Sequence, residues 1–169
     1  MVAGQANSCD VLIAGAGPAG LATALFLLRR RPELRGRIIA LEKSRHPRFK
    51  VCAGGLIPKT IAALHELGLA LEVPAVEVMR GSARTEVGEV NLTRGDVLCT
   101  IIRRDQFDAR LARAARDAGL ELVENCKVRR VTQRDDGITV ETNCGSFEAR
   151  VLVGADGSGS RVRADVFGG

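Results

Sequence analysis

The chain has 169 residues, 46% of them hydrophobic and 27% charged, with a formal net charge of +5. That length and mixture exclude a disordered or collagen-like chain and suit a folded domain with its own core. Trp and Tyr are absent, five Phe are the only aromatic residues, and the Arg excess is dispersed along the chain. This speaks against stacking on nucleic-acid bases, so no nucleic-acid partner is expected.

In chain order, Asp10 to Ala14 reads as a short apolar strand, residues 15–20 (GAGPAG) as a tight turn, and Leu21 to Arg31 as a helix stopped by Pro32. Arg37 to Leu41 is the next strand, finishing at Glu42. Residues 11–28 are uncharged over a span that could suit a membrane helix. Gly15, Gly17, Pro18 and Gly20 interrupt it, so strand, turn and helix are the better reading and no transmembrane segment is expected. A polar stretch, Lys43 to Lys50, leads to the small-residue turn Val51 to Gly55. Pro58 then opens a helix through Leu67, closed by Gly68. Residues 73–102 alternate as short β pieces. Asp105 is placed to cap a helix running to Ala118, with Phe107, Leu111 and Ala114 or Ala115 on its apolar face. Strands are expected at Leu120 to Glu124, Lys127 to Thr132, Ile138 to Thr142 and Ala149 to Ala155.

Cys9, Cys52, Cys99, Cys126 and Cys144 are odd in number and contain no CxxC, and only His46 and His65 accompany them. No metal site is expected, and most of the thiols read as small buried hydrophobes in a reducing, cytoplasmic setting. The N-terminus lacks the basic region of a signal peptide.

Two constellations carry chemistry. In the first, Gly15 permits a tight turn, Gly17 lets backbone approach a pyrophosphate, and Gly20 lets helix and strand pack closely, with Pro18 and Ala19 completing the turn. The phosphates would sit at the positive end of a helix. Glu42 follows about 20 residues later at a strand end, where a carboxylate accepts from ribose hydroxyls and repels a 2′-phosphate. Lys43, directly after it, joins the candidate cofactor-binding residues. Strand, turn, helix and acid together point to an ADP-containing ligand.

The second constellation is the apolar strand Val151 to Ala155 with Asp156-Gly157, Ser160, Arg161 and Arg163. One reading is a strand ending in a turn with a capped helix start. The pattern also resembles the second fingerprint of the flavoprotein hydroxylases, which implies that Asp156 and Gly157 contact FAD. In the same resemblance, Arg104 reaches FAD phosphate or ribityl oxygens, with Arg103 its close competitor. Pro47 to Leu56 (PRFKVCAGGL) is similar to the Cys-Gly-Gly-Gly segment of the geranylgeranyl reductase family, departing at Ala53. It implies that Cys52, Gly54 and Gly55 border the flavin as the catalytic surface. Two readings stand for Cys52, a contact with the flavin ring or a buried inert thiol. Two also stand for Arg48 and Lys50, neutralising phosphate or lying solvated.

The resemblance implies an α/β fold: a Rossmann-like, three-layer FAD-binding domain with a parallel sheet and a crossover β-meander near residues 120–145. Residues 1–169 would form the N-terminal portion of that domain, with about residues 70–100 a β excursion toward the substrate side. The implied activity is an FAD-dependent oxidoreductase that takes electrons from NAD(P)H or another donor and reduces isoprenoid C=C bonds. Peripheral membrane contact is compatible with such a substrate. Two alternatives stand beside it, a hydroxylating monooxygenase and a non-catalytic FAD-binding fragment. The last follows from the family's later Gly-Asp motif and substrate domain, which have no counterpart before Gly169.

Overall fold

A computed structural model of the chain describes residues 7–93 and 95–168; the N-terminal leader question concerns mainly residues 1–6 and lies outside the described residues. The elements begin with β1 (Asn7–Ala14), α1 (Pro18–Arg30), a 3-10 turn (Pro32–Leu34), β2 (Ile38–Glu42), β3 (Gly55–Leu56) and α2 (Pro58–Glu66). They continue with β4 (Ala75–Val78), β5 (Arg80–Thr85), β6 (Gly88–Thr93), β7 (Cys99–Ile102) and α3 (Arg104–Asp117). The last are β8 (Glu121–Glu124), β9 (Val128–Arg134), β10 (Gly137–Thr142), β11 (Gly145–Gly154) and α4 (Arg161–Phe167). Two compact units divide them: Met1–Arg48 with Asp108–Gly169, and Phe49–Phe107.

The first unit is built on a six-stranded sheet in the order β8-β2-β1-β11-β10-β9. β8, β2, β1 and β11 run parallel, and β10 and β9 extend the sheet antiparallel. Val11 to Ala14 of β1 and Ile38 to Leu41 of β2 are apolar throughout because both their faces are covered, as central parallel strands require. Leu12, Ala14, Ile39 and Leu41 point into a cluster with Val131, Val140, Phe147 and Val162. The alternate residues of β1 and β2 lie on the face where α1 packs, and α1 buries Leu21, Ala24, Leu25 and Leu28. α4 is tied to β9 by Asp165, whose carboxylate accepts from the Val131 N–H at 2.9 Å.

The expected α/β architecture is present, with its meander displaced. Residues 121–124 pair with β2 at one edge, while the antiparallel meander is β9-β10-β11 and reaches Gly154. β11 is long because one run of residues serves two neighbours: its start pairs with β10, and residues 147–154 pair with β1. α3 begins at Arg104, so Asp105 lies inside the first turn rather than at the cap. Its carboxylate takes the Arg103 guanidinium at 2.8 Å. α3 buries Ala115, with Ala114 only partly covered.

One expectation about the thiols is overturned. Cys126 and Cys144 form a disulfide with Cα atoms 5.7 Å apart. Their sequence separation of 18 hides a pairing that the β9–β10 hairpin creates by setting the β8–β9 loop beside the β10–β11 turn. Cys9 is buried as expected, and burial pushes its thiol up to about 11.

The second unit holds a three-stranded sheet, β3-β7-β4, and the hairpin β5-β6. It spans Phe49–Phe107, wider than the expected excursion of about residues 70–100. No helix among the described residues is long and apolar enough to cross a membrane.

Candidate functional site

The glycine turn between β1 and α1 is shaped by contacts that a side chain would destroy. Gly15 has φ +101°, and a Cβ there would lie 2.3 Å from the Ala155 carbonyl oxygen. A Cβ on Gly20 would lie 2.0 Å from the Gly15 carbonyl oxygen and 3.2 Å from Ile13. The turn is therefore packed against the end of β11 on one side and its own helix on the other. α1 starts at Pro18 with Gly17 as its N-cap and no capping side chain, so the first-turn N–H groups are left for another acceptor.

Two buried charges meet at this turn. Glu42 Oε2 accepts the Ala16 N–H at 3.0 Å, and Oε1 accepts the Ser44 N–H at 3.2 Å. The Arg48 guanidinium approaches Glu42 Oε1 at 3.5 Å and Asp108 Oδ2 at 3.5 Å, with its side chain only 12% exposed. A Cβ on Gly17 would lie 3.4 Å from Arg48 Nη2, which places the guanidinium beside the turn. Arg48 Nε is buried with no hydrogen-bond partner among the described residues. That Nε is the atom turned to Glu42, which leaves Nη2 as the part of the cation nearest the uncapped helix start, a setting suited to a pyrophosphate.

Of the two readings for Arg48, the solvated one is removed. Lys43 lies exposed directly after Glu42, and Pro18 and Ala19 lie partly covered and exposed at the helix start. Asp156 fits the capping reading. Its Oδ1 takes the Ser160 hydroxyl at 2.6 Å, and its Oδ2 takes the N–H groups of Arg161 at 2.7 Å and Val162 at 3.2 Å. Ser160 in turn accepts the Arg163 N–H at 3.0 Å. Gly157 has φ +87° and is exposed.

The first unit thus gathers residues 15–20, Glu42, Lys43, Arg48, Asp156 and Gly157. Lys50, Cys52, Gly54, Gly55 and Arg104 belong to the second unit. There, Gly54 has φ +76°, and a Cβ would lie 2.2 Å from the Ile102 carbonyl oxygen; its own carbonyl accepts the Ile102 N–H at 3.0 Å. The small residues at this point let β3 lie against β7. Cys52 is exposed, so the buried-thiol reading is removed, and its sulfur accepts the Gly54 N–H at 3.4 Å. Lys50 is exposed, Arg104 half-buried, and Arg103 is occupied by Asp105.

Sequence reasoning missed Asp108, fully buried on α3, although an acid between Phe107 and Leu111 on an apolar helix face was a visible signal. It also missed His46, whose ring nitrogens face Glu124 and the Ala16 carbonyl. Its partner Glu124 is 78 residues away, and no local pattern marks the pair.

Comparison with known proteins agrees with this geometry. Residues 8–167 match the FAD binding domain family. Menaquinone reductase of Mycobacterium tuberculosis is 29% identical over 167 residues, covering 91% of this chain and 39% of that protein. The p-nitrophenol 4-monooxygenase PnpA from Pseudomonas putida has the same fold with a TM-score of 0.75 and 26% identity, over 95% of this chain and 44% of that one. A geranylgeranyl bacteriochlorophyll reductase-like protein from Thermoplasma acidophilum shares the fold, with a TM-score of 0.67 and 21% identity, over 88% of this chain and 39% of that one. The chain therefore spans well under half the length of each of these relatives.

Proposed function

Because the chain belongs to the FAD binding domain family of flavoprotein oxidoreductases and hydroxylases, we propose that it is the cofactor-holding part of an FAD-dependent reductase. Residues 15–20 hold the pyrophosphate, Glu42 braces that turn through the Ala16 N–H, Lys43 faces the adenosine half, and Arg48 balances the phosphate charge. Asp156 shapes the turn from which the Gly157 backbone reaches FAD. Lys50 and Arg104 add positive charge, and Cys52, Gly54 and Gly55 border the flavin ring. The observation that carries the reading is the Arg48 guanidinium, only 12% exposed, with its Nη2 beside Gly17 at an uncapped helix start.

When bound, FAD supplies two-electron redox chemistry, and the protein supplies position and electrostatics. The reductase reading is supported by the similarity to menaquinone reductase and by the Cys52 segment; NAD(P)H is the proposed donor and an isoprenoid C=C bond the proposed target. The monooxygenase reading is favoured by the closer structural match to PnpA. The test is to supply the FAD-loaded chain with NADPH, oxygen and a polyprenyl substrate, and to weigh the product. A gain of two hydrogens supports reduction, and a gain of one oxygen atom replaces it with hydroxylation. A chain that binds no FAD refutes both readings.

A further inference from the structure

Ala16, between the first two glycines of the turn, has both backbone groups held by ionisable side chains. Its N–H donates to Glu42 at 3.0 Å, and its carbonyl oxygen lies 3.1 Å from His46 Nε2. The other ring nitrogen, Nδ1, lies 2.8 Å from Glu124 Oε1, and the His46 backbone N–H donates to the same oxygen at 2.7 Å. Glu124 is held from its second oxygen by Arg116 of α3 at 3.0 Å. The His46 side chain is 3% exposed, so water does not substitute for these partners.

Both groups facing the ring are acceptors. A neutral imidazole carries one N–H, and would turn a lone pair toward either the carbonyl or the carboxylate. An imidazolium donates to both. We infer that His46 is a positioning residue for the glycine turn, and that its protonated ring, braced by Glu124, holds Ala16 in the cofactor-binding conformation. The inference rests on the reading that this turn holds FAD. The charged groups around the ring are Glu124 from β8, Arg116 from α3 through Glu124, and the Glu42–Arg48 pair on the other side of Ala16. With the proton gone, one of the two contacts is lost, and the ring no longer ties the Ala16 carbonyl to Glu124. The buried positive charge near the phosphate site disappears with it.

The experiment is FAD binding to the full chain, read by flavin fluorescence from about pH 5 to about pH 8, the range in which imidazoles change charge. Wild type is expected to weaken about tenfold across that range, the scale of one charge-assisted hydrogen bond. His46→Gln, which does not titrate, gives a flat profile. Glu124→Gln keeps an amide oxygen for the His46 N–H but removes the carboxylate charge that favours an imidazolium, so the pH dependence shrinks. Identical profiles for wild type and His46→Gln overturn the role of His46. Should the variants fail to fold, nitrogen NMR shifts of the wild-type ring decide. Both nitrogens protonated where FAD binds tightly supports the inference, and a single neutral tautomer throughout overturns it. Failure of the underlying reading looks different: FAD binding undiminished by Gly17→Glu removes the turn as the site, and no binding at any pH removes both.

Discussion

Gly15 and Ala155 are joined so closely that the turns following β1 and β11 form one surface: a Cβ on Gly15 would sit 2.3 Å from the Ala155 carbonyl oxygen, at a backbone angle that L side chains rarely adopt. The Ala155 N–H also donates to the Ala14 carbonyl at 2.8 Å, which locks the end of β11 beside the end of β1. Gly15→Ala is therefore expected to destabilise the chain by about 2 kcal/mol, the scale of backbone strain with a steric clash. The measurement is urea unfolding, and a midpoint equal to wild type would show that the two turns are not in contact.

Arg48 serves two buried carboxylates at once. Its removal takes away the cation that Glu42 and Asp108 share, so Arg48→Ala should cost about 3–5 kcal/mol of stability, as for a broken buried ion pair. Asp108→Asn in the Arg48→Ala background removes one of the two carboxylate charges and should recover part of that loss. FAD affinity should stay low in the double variant, because the guanidinium is still missing. Full recovery of affinity in calorimetric titration would assign the phosphate contact elsewhere.

Glu124 gives an acid limb to stability. Burial pulls its carboxyl upward, but the His46 N–H, the His46 ring and the Arg116 guanidinium together outweigh burial and hold it below the ordinary value. A carboxyl lowered in the folded state stabilises the fold above its unfolded titration range, and that contribution is lost as pH falls through the lower folded value. Thermal melting of wild type should therefore drop more steeply on acidification than that of Glu124→Gln. Parallel curves would contradict the assignment.

Four of the five cysteines should separate into three behaviours. Cys52, exposed, reacts with iodoacetamide first; Cys9, buried and with its thiol raised to about 11, reacts only on unfolding. Cys126 and Cys144 remain unlabelled until a dithiol reductant is added. Cys144→Ser, chosen because Cys144 is the exposed partner, should lower stability by about 3 kcal/mol, the chain-entropy value for a loop of this length. Peptide mass mapping that finds five free thiols without reductant would remove the bridge.

What was legible in the sequence is what local spacing controls. The run from Asp10 to Glu42 shows its strand, turn, helix and strand because period, glycine positions and the stop at Pro32 act within a few residues of one another. Glu42 was legible as an acid at a strand end, but not as a carboxylate turned inward to hold Ala16, because that depends on how β2 meets the turn. Asp156 allowed both a capping and a cofactor reading, since capping and phosphate-loop chemistry use the same residue types. The disulfide and the His46–Glu124 pair were hidden because their members are brought together only by sheet order. The meander's bounds slipped for the same reason: residues 121–124 look like their successors, and only pairing with β2 assigns them to the parallel edge.

The sheet order carries a consequence for synthesis. β1 is the first strand made, yet one of its two neighbours is the last, with Asn7 paired to Phe147 and Ala14 to Gly154. Until β11 leaves the ribosome, β1 can close only on β2, and its other edge presents unpaired backbone beside an apolar side-chain run. Such an edge is a template for pairing with another nascent chain. A product ending before Gly154 would keep that edge permanently, so premature termination is expected to yield aggregates rather than a smaller soluble version of the first unit.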